Sequence, residues 1–143
     1  MIAVDTNVLI QALREDAPFH AQALAALGGL VGSGSRWGLP WPCVHEFLAV
    51  ATHPRIFVPP TPPAIALRAV EVWMGTRGCV LLREGPGYWE TLRELVGASK
   101  VAGPMIHDAR IAALCLHHGV VELWTADRDF SRFPQLRTRN PLL

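Results

Sequence analysis

Four acidic residues stand where solubility alone would not put a charge. Asp5 closes the apolar run IAV and is followed by Thr6, Asn7 and a second apolar run, VLI. A carboxylate flanked by Ala3, Val4, Val8 and Leu9 has no solvated face, so it needs an opposite charge or a metal ion. Asp127 ends another apolar run, VVELWTA, while Glu46 and Asp108 follow PWPCVH and GPMIH in the first turn or so of two expected helices. Taken singly, three of them have plain explanations. A carboxylate near a helix N-terminus contributes roughly 0.3–1 kcal/mol through the macrodipole, and the aspartate of TADRDF suits a turn. Asp5 resists both. If all four converge, anions a few ångströms apart must take up protons unless a cation joins them. With no Cys or His at ligand spacing the donor set is all oxygen, which favours Mg²⁺ or Mn²⁺ over Zn²⁺.

Convergence requires elements that carry distant segments to one place. IAVD reads as a buried strand entering a helix, PFHAQALAAL (18–27) as a helix broken by GGLVGSGSRWG (28–38), and GLPWP (38–42) as a short extended run. CVHEFLAVATH (43–53) sets Val44, Phe47, Leu48 and Ala51 on one helical face. PPTPP (59–63) is a rigid connector into the helix AIALRAVEVWM (64–74); CVLL (79–82) reads as a buried strand, and GYWETLRELVG (87–97) as a helix ending at Gly97. Gly103, Pro104 and Gly119 bracket the helix MIHDARIAALCLHHG (105–119). VVELWTAD (120–127) comes next as a strand, and LRTRNPLL (136–143) holds a last one. This alternation predicts one α/β domain over 1–143, with a mostly parallel central sheet of about five strands flanked by helices. Such sheets bind ligands at the carboxyl ends of their strands. Of the five aspartates, Asp5, Asp108, Asp127 and Asp129 belong to that edge and only Asp16 lies outside it.

Composition sets limits but names no partner. A chain of 143 residues with 50% hydrophobic content fits one domain with an ample core. Thirteen Lys+Arg against 12 Asp+Glu leave a formal charge of +1, so a polyanion would have to be met by local placement. The basic residues are nearly all Arg, with Lys100 the only lysine, and guanidinium suits bidentate contact with phosphate. Cys43, Cys79 and Cys115 are odd in number and set among apolar neighbours, which argues for small buried residues in a reducing, cytoplasmic setting. No apolar stretch approaches the roughly 18 residues that span a bilayer, and no leader-like segment is recognised.

DTNVLI, HEF around Glu46, HDARIAAL and TADRDF, in that order and spacing, resemble the PIN-domain ribonucleases, and nearest among them the VapC toxins of type II toxin–antitoxin pairs. The resemblance covers essentially the whole chain. It implies that Asp5, Glu46, Asp108 and Asp127 form an acidic quartet binding Mg²⁺ or Mn²⁺, with Asp5 and Asp108 the best-matched ligands. Thr6 or Asn7, together with Thr125, match its supporting polar positions, and Asp129 its frequent extra acid. It also implies metal-dependent hydrolysis of RNA to 5′-phosphate and 3′-hydroxyl ends, a VapB-like antitoxin partner and a homodimer. The residues themselves suit such chemistry: ions held by the acids would polarise a scissile phosphate and activate water, while Asn7 and Thr125 would orient carboxylates. One ion or two remains open.

An acidic centre repels RNA, so phosphate contacts must come from its rim. Arg110, Arg128 and Arg132 are the nearest candidates, followed by Arg137 and Arg139 in LRTRN, the expected basic patch. Trp37 and Trp41 read as core residues before base-stacking ones. His45 and His107 directly precede Glu46 and Asp108, but adjacent helical positions point in different directions, so all six histidines are left out of the catalytic set. Two rivals remain: a PIN-like module that only binds RNA or protein, and an aspartyl-phosphate phosphatase. The phosphatase needs a second Asp where Asn7 stands.

Overall fold

A computed structural model describes all 143 residues. Twelve elements succeed one another: β1 (Ile2–Val4), α1 (Thr6–Leu13), α2 (His20–Gly32), β2 (Trp37–Pro40), α3 (Trp41–Ala51), α4 (Pro63–Met74), β3 (Cys79–Leu82), α5 (Tyr88–Ser99), α6 (Met105–His117), β4 (Glu122–Trp124), a 3₁₀ turn (Arg128–Arg132) and β5 (Thr138–Arg139). The five strands form one sheet in the order β3-β2-β1-β4-β5, and every pairing is parallel.

The two-residue period of a strand divides the core between the two faces of the sheet. Val4, Trp37, Leu39 and Trp124 join residues of α1, α2 and α4 in one cluster. Ala3, Leu82 and Leu123 join residues of α6, Leu95 of α5 and Phe130 in the other. Helix α3 contributes to both, Val44, Phe47 and Ala51 to the first and Cys43 to the second. Close packing in the middle of the sheet leaves no room for a larger residue at Gly38: a Cβ there would meet Leu82 Cδ1 at 2.9 Å and Ala3 Cβ at 3.3 Å.

Several expected boundaries move. Helix α2 runs five residues past Leu27, through Gly28 and Gly29 to Gly32, because Leu30 continues its buried stripe with Ala23 and Leu27 and outweighs the roughly 1 kcal/mol helical cost of each glycine. In GLPWP only Pro40 and the residues before it are extended. Trp41 starts α3 and Pro42 sits in its first turn, where a missing N–H costs nothing. Glu46 consequently lies in the second turn of α3, not the first. Strand β4 is only Glu122–Trp124, and α5 passes Gly97 to end at Ser99, capped by Lys100 in the left-handed conformation. Gly119 does terminate α6, with φ +69°. Cys43 and Cys115 are buried and Cys79, at the start of the edge strand β3, is half-buried; all three are free thiols.

Candidate active site

Central strands β1 and β4 each lead into an aspartate that caps the next helical segment. Asp5 is the N-cap of α1, its Oδ1 accepting from the Thr6 backbone N–H at 2.8 Å, and Asp127 caps the 3₁₀ turn by accepting from the Asp129 N–H at 2.8 Å. The turn role expected of Asp127 is therefore real, and it aims the carboxylate at the sheet edge as well. Helix α3 leaves β2 directly and brings Glu46 to the same edge, while Asp108 sits in the first turn of α6.

Asp5, Thr6, Asn7, Glu46, Asp108 and Asp127 line one cavity of about 220 Å³. Carboxylate oxygens of Asp108, Asp127 and Asp129 lie within 4.8 Å of one another. Asp129, matched only as an extra acid, thus belongs to the tightest group. Asp5 is more deeply set, at 4% exposure. Beside the Thr6 N–H, its oxygens receive the Thr125 hydroxyl at 2.7 Å and Asn7 Nδ2 at 3.1 Å, both to Oδ2, and the weaker Cys43 thiol at 3.5 Å to Oδ1. Thr125 Oγ1 in turn accepts from Asn7 Nδ2 at 3.1 Å and from the Asp127 N–H at 3.0 Å, and Asn7 Oδ1 accepts from the Ala126 N–H at 3.0 Å. The Thr6 hydroxyl donates to Glu46 Oε2 at 3.2 Å. Thr6, Asn7 and Thr125 are all placed to orient carboxylates.

No arginine or lysine pairs with the cluster, and the one cationic influence on it, His107 acting on Glu46, is smaller than the burial and Asp5 charge that oppose it. The four ion pairs of the molecule engage Asp16, Glu71, Glu84 and Glu122, none of them a site acid. Burial raises the pKa of Asp5, against the pull of its hydrogen bonds from Thr125, Thr6 and Cys43. Burial and then the Asp5 charge raise that of Glu46. Asp108 is pushed up to about 6, by burial first and then by the charges of Asp127, Asp5, Asp129 and Glu46. An all-oxygen set of anions without an arginine or lysine partner fits a hard divalent ion such as Mg²⁺.

The arginines divide. Arg128 and Arg132 lie exposed on the turn after Asp127, and neither is in an ion pair. Arg110 stands beside the acids but bonds Glu84 Oε1 through Nε at 3.2 Å and Nη2 at 3.0 Å. The LRTRN segment is no patch at the site: Arg137 pairs with Glu122 at 3.0 Å, at the start of β4, and Arg139 lies over the Trp124 ring at 5.9 Å. Trp37 is fully buried and donates to Thr76 Oγ1 at 3.1 Å, and Trp41 packs against the same core. His45 and His107, set aside on sequence grounds, line a second cavity beside the first. The repeated pairs HE and HD are the signal in the sequence that points to them.

Fold and acidic edge together define a PIN domain, and the family model of that description matches residues 2–136. Among curated relatives, ribonuclease VapC48 of Mycobacterium tuberculosis is 31% identical over 137 residues, covering 96% of this chain and 94% of the relative. Ribonuclease VapC43 of the same organism is 37% identical over 142 residues, covering 99% and 96%. The chain belongs to the VapC ribonucleases of the PIN-domain family. Solved structures share the fold at low identity. The sarcin-ricin loop cleaving toxin VapC20 of M. tuberculosis superposes with a TM-score of 0.68 at 14% identity, over 92% of this chain and 93% of that one. In a VapBC2 structure from Rickettsia felis, bound to a promoter DNA fragment, the values are 0.68, 14%, 98% and 98%.

Proposed function

We propose that the chain is a divalent-metal-dependent endoribonuclease and the toxin of a VapBC-type pair, with Asp5, Glu46, Asp108, Asp127 and Asp129 as its metal-holding acids. The observation that carries this reading is the close grouping of Asp108, Asp127 and Asp129 beside Asp5 and Glu46, without an arginine or lysine partner, in a chain of VapC ancestry. A bound Mg²⁺ or Mn²⁺ would supply positive charge to the scissile phosphate and the departing 3′ oxygen and acidify a nearby water. The protein's own part is to fix the acids before RNA arrives. Thr125, Asn7 and the Thr6 N–H hold Asp5, and the Thr6 hydroxyl holds Glu46. Asn7 disfavours the phosphatase alternative: its amide donates to Asp5 and Thr125 and accepts from Ala126, and an amide cannot serve as the general acid that chemistry needs.

Purified protein is expected to cleave single-stranded RNA with Mg²⁺ or Mn²⁺, to leave 5′-phosphate ends, and to lose activity in EDTA or on Asp5→Asn. Cleavage that survives EDTA overturns the metal assignment. Release of phosphate from small esters without RNA cleavage favours the phosphatase.

The partner in this reading is a small VapB-like antitoxin, and the working unit is a homodimer in the cytoplasm. An apolar groove of about 590 Å³ between α2 and α4, bordered by the exposed Leu24, Ile65 and Val72, supports a protein partner. No helix is long and apolar enough to cross a membrane. Expression alone is expected to arrest growth, and co-expression of the adjacent small gene to relieve it and to yield a complex that co-purifies. Free growth in both cases removes the toxin assignment.

A further inference from the structure

The wall formed by Glu46, Asp108 and Ile111 has a second cavity on its far side. That cavity, about 320 Å³, is closed by Pro42, His45, His107 and Arg110. It keeps two of its neighbour's carboxylates, Glu46 and Asp108, but sets three N–H donors opposite them. The donors come from two helices: His45 from α3, and His107 and Arg110 from α6.

The donors are free to bind. His20, His53 and His118 each engage a ring nitrogen with the backbone. Neither His45 nor His107 makes a side-chain hydrogen bond within the protein, and both are exposed. Trp41 neighbours the His45 ring at a centroid separation of 6.0 Å, tilted by 34°. Glu84 holds the Arg110 guanidinium through Nε and Nη2, leaving the Nη1 donors of its planar fork unused. This pair is half-exposed, so it orients the arginine without withdrawing it from solvent.

We propose that His45, His107 and Arg110 form a subsite for a phosphate of the RNA strand adjoining the scissile phosphodiester. The claim rests on the ribonuclease reading above and deepens it. An acidic centre cannot attract RNA unaided, and nucleic-acid binding relies on backbone contacts that set register. A donor-lined cavity sharing Glu46 and Asp108 with the acidic one places such a contact next to the point of cleavage. His45, His107 and Arg110 are positioning residues: they hold the strand so that its phosphodiester lies over the acids.

The test uses a random-sequence single-stranded RNA oligonucleotide, fluorescein-labelled, in two arms. Binding is read by anisotropy in an Asp5→Asn background with Mg²⁺ across a salt series, and cleavage in the wild-type background. The triple change His45→Ala, His107→Ala and Arg110→Ala is expected to weaken binding by about tenfold or more and to lower the slope of log affinity against log salt by about 1 per lost phosphate contact. In cleavage, KM should rise more than kcat falls. His45→Gln with His107→Gln, which keeps N–H donors, should recover part of the affinity. Unaltered affinity and salt slope in a triple variant with wild-type circular dichroism overturn the subsite. Absence of cleavage by the wild type is a failure of the ribonuclease reading instead, and the anisotropy arm still decides the subsite.

Discussion

The Thr125 hydroxyl donates to Asp5 Oδ2 at 2.7 Å, tying the residue after β4 to the residue after β1. Two neighbouring parallel strands thereby fix one buried carboxylate, and Thr125 also accepts from Asn7 and from the Asp127 N–H. Thr125→Val keeps the side chain's shape but removes the donor and the acceptor together. It is expected to destabilise the protein by about 1–3 kcal/mol in urea unfolding and to reduce kcat, because buried groups lose partners they cannot replace. Thr125→Ser should recover most of both. Equal stability of Thr125→Val and wild type contradicts the role of this bond.

Asp108 should separate stability from activity. It makes no hydrogen bond with another side chain, and four neighbouring carboxylates oppose its charge. Asp108→Asn is expected to raise the stability of the metal-free protein at neutral pH by a few tenths to about 1 kcal/mol, while RNA cleavage falls to background. Thermal unfolding in EDTA and an RNA assay in Mg²⁺ read the two signs. A variant both less stable and still active would show that Asp108 is structural.

Asp5 is legible from sequence because burial of a carboxylate leaves a mark: apolar neighbours on both sides. Asp108 and Asp127 are legible through their places after Gly-Pro and after a strand. The strand order, by contrast, depends on which faces pack, which no local pattern records, and only the alternation announces a parallel sheet. The length of α2 is hidden because its glycines read as a break, whereas tertiary burial of Leu30 decides the matter. The basic patch misleads for a related reason. Arg137 looks free in LRTRN, and its partner Glu122 is brought beside it only by the pairing of β4 with β5. His45 and His107 are excluded by the rule that adjacent helical residues diverge. The packing of α3 beside α6 overrides that rule: both rings line a second cavity together with Glu46 and Asp108, and the His107 charge is felt at Glu46.

Trp37 tests whether the tryptophans near the glycine-rich segment serve RNA or the core. It is fully buried among residues of β1, α3 and α4, and its Nε1–H reaches Thr76 at 3.1 Å. Trp37→Ala is expected to cost about 3–5 kcal/mol in chemical denaturation. RNA affinity of the folded fraction should be unchanged. A selective loss of RNA binding with little loss of stability would move Trp37 from the core to the substrate surface.

Removal of metal should make stability depend on pH in a direction fixed by the raised carboxyl groups. In the fold Asp108 titrates near about 6 against an ordinary 3.8, so the folded state holds its proton more tightly than the unfolded chain does. The stability linked to that proton is fully present below 3.8 and is lost as pH rises through about 6. Asp5 and Glu46, also raised by burial, act with the same sign. Asp16 and Glu84 have the opposite sign. Hydrogen bonding to Arg14 is the largest cause lowering Asp16, and a backbone hydrogen bond lowers Glu84 ahead of Arg110, so their effect falls at lower pH, below their ordinary values of 3.8 and 4.5. In EDTA the melting temperature is therefore expected to drop between about pH 4 and about pH 6.5. Saturating Mg²⁺ binds the ionised acids and competes with protons, so it should raise the melting temperature most at the upper end and flatten or reverse the slope. The same profile with and without Mg²⁺ would mean that these acids do not hold the ion.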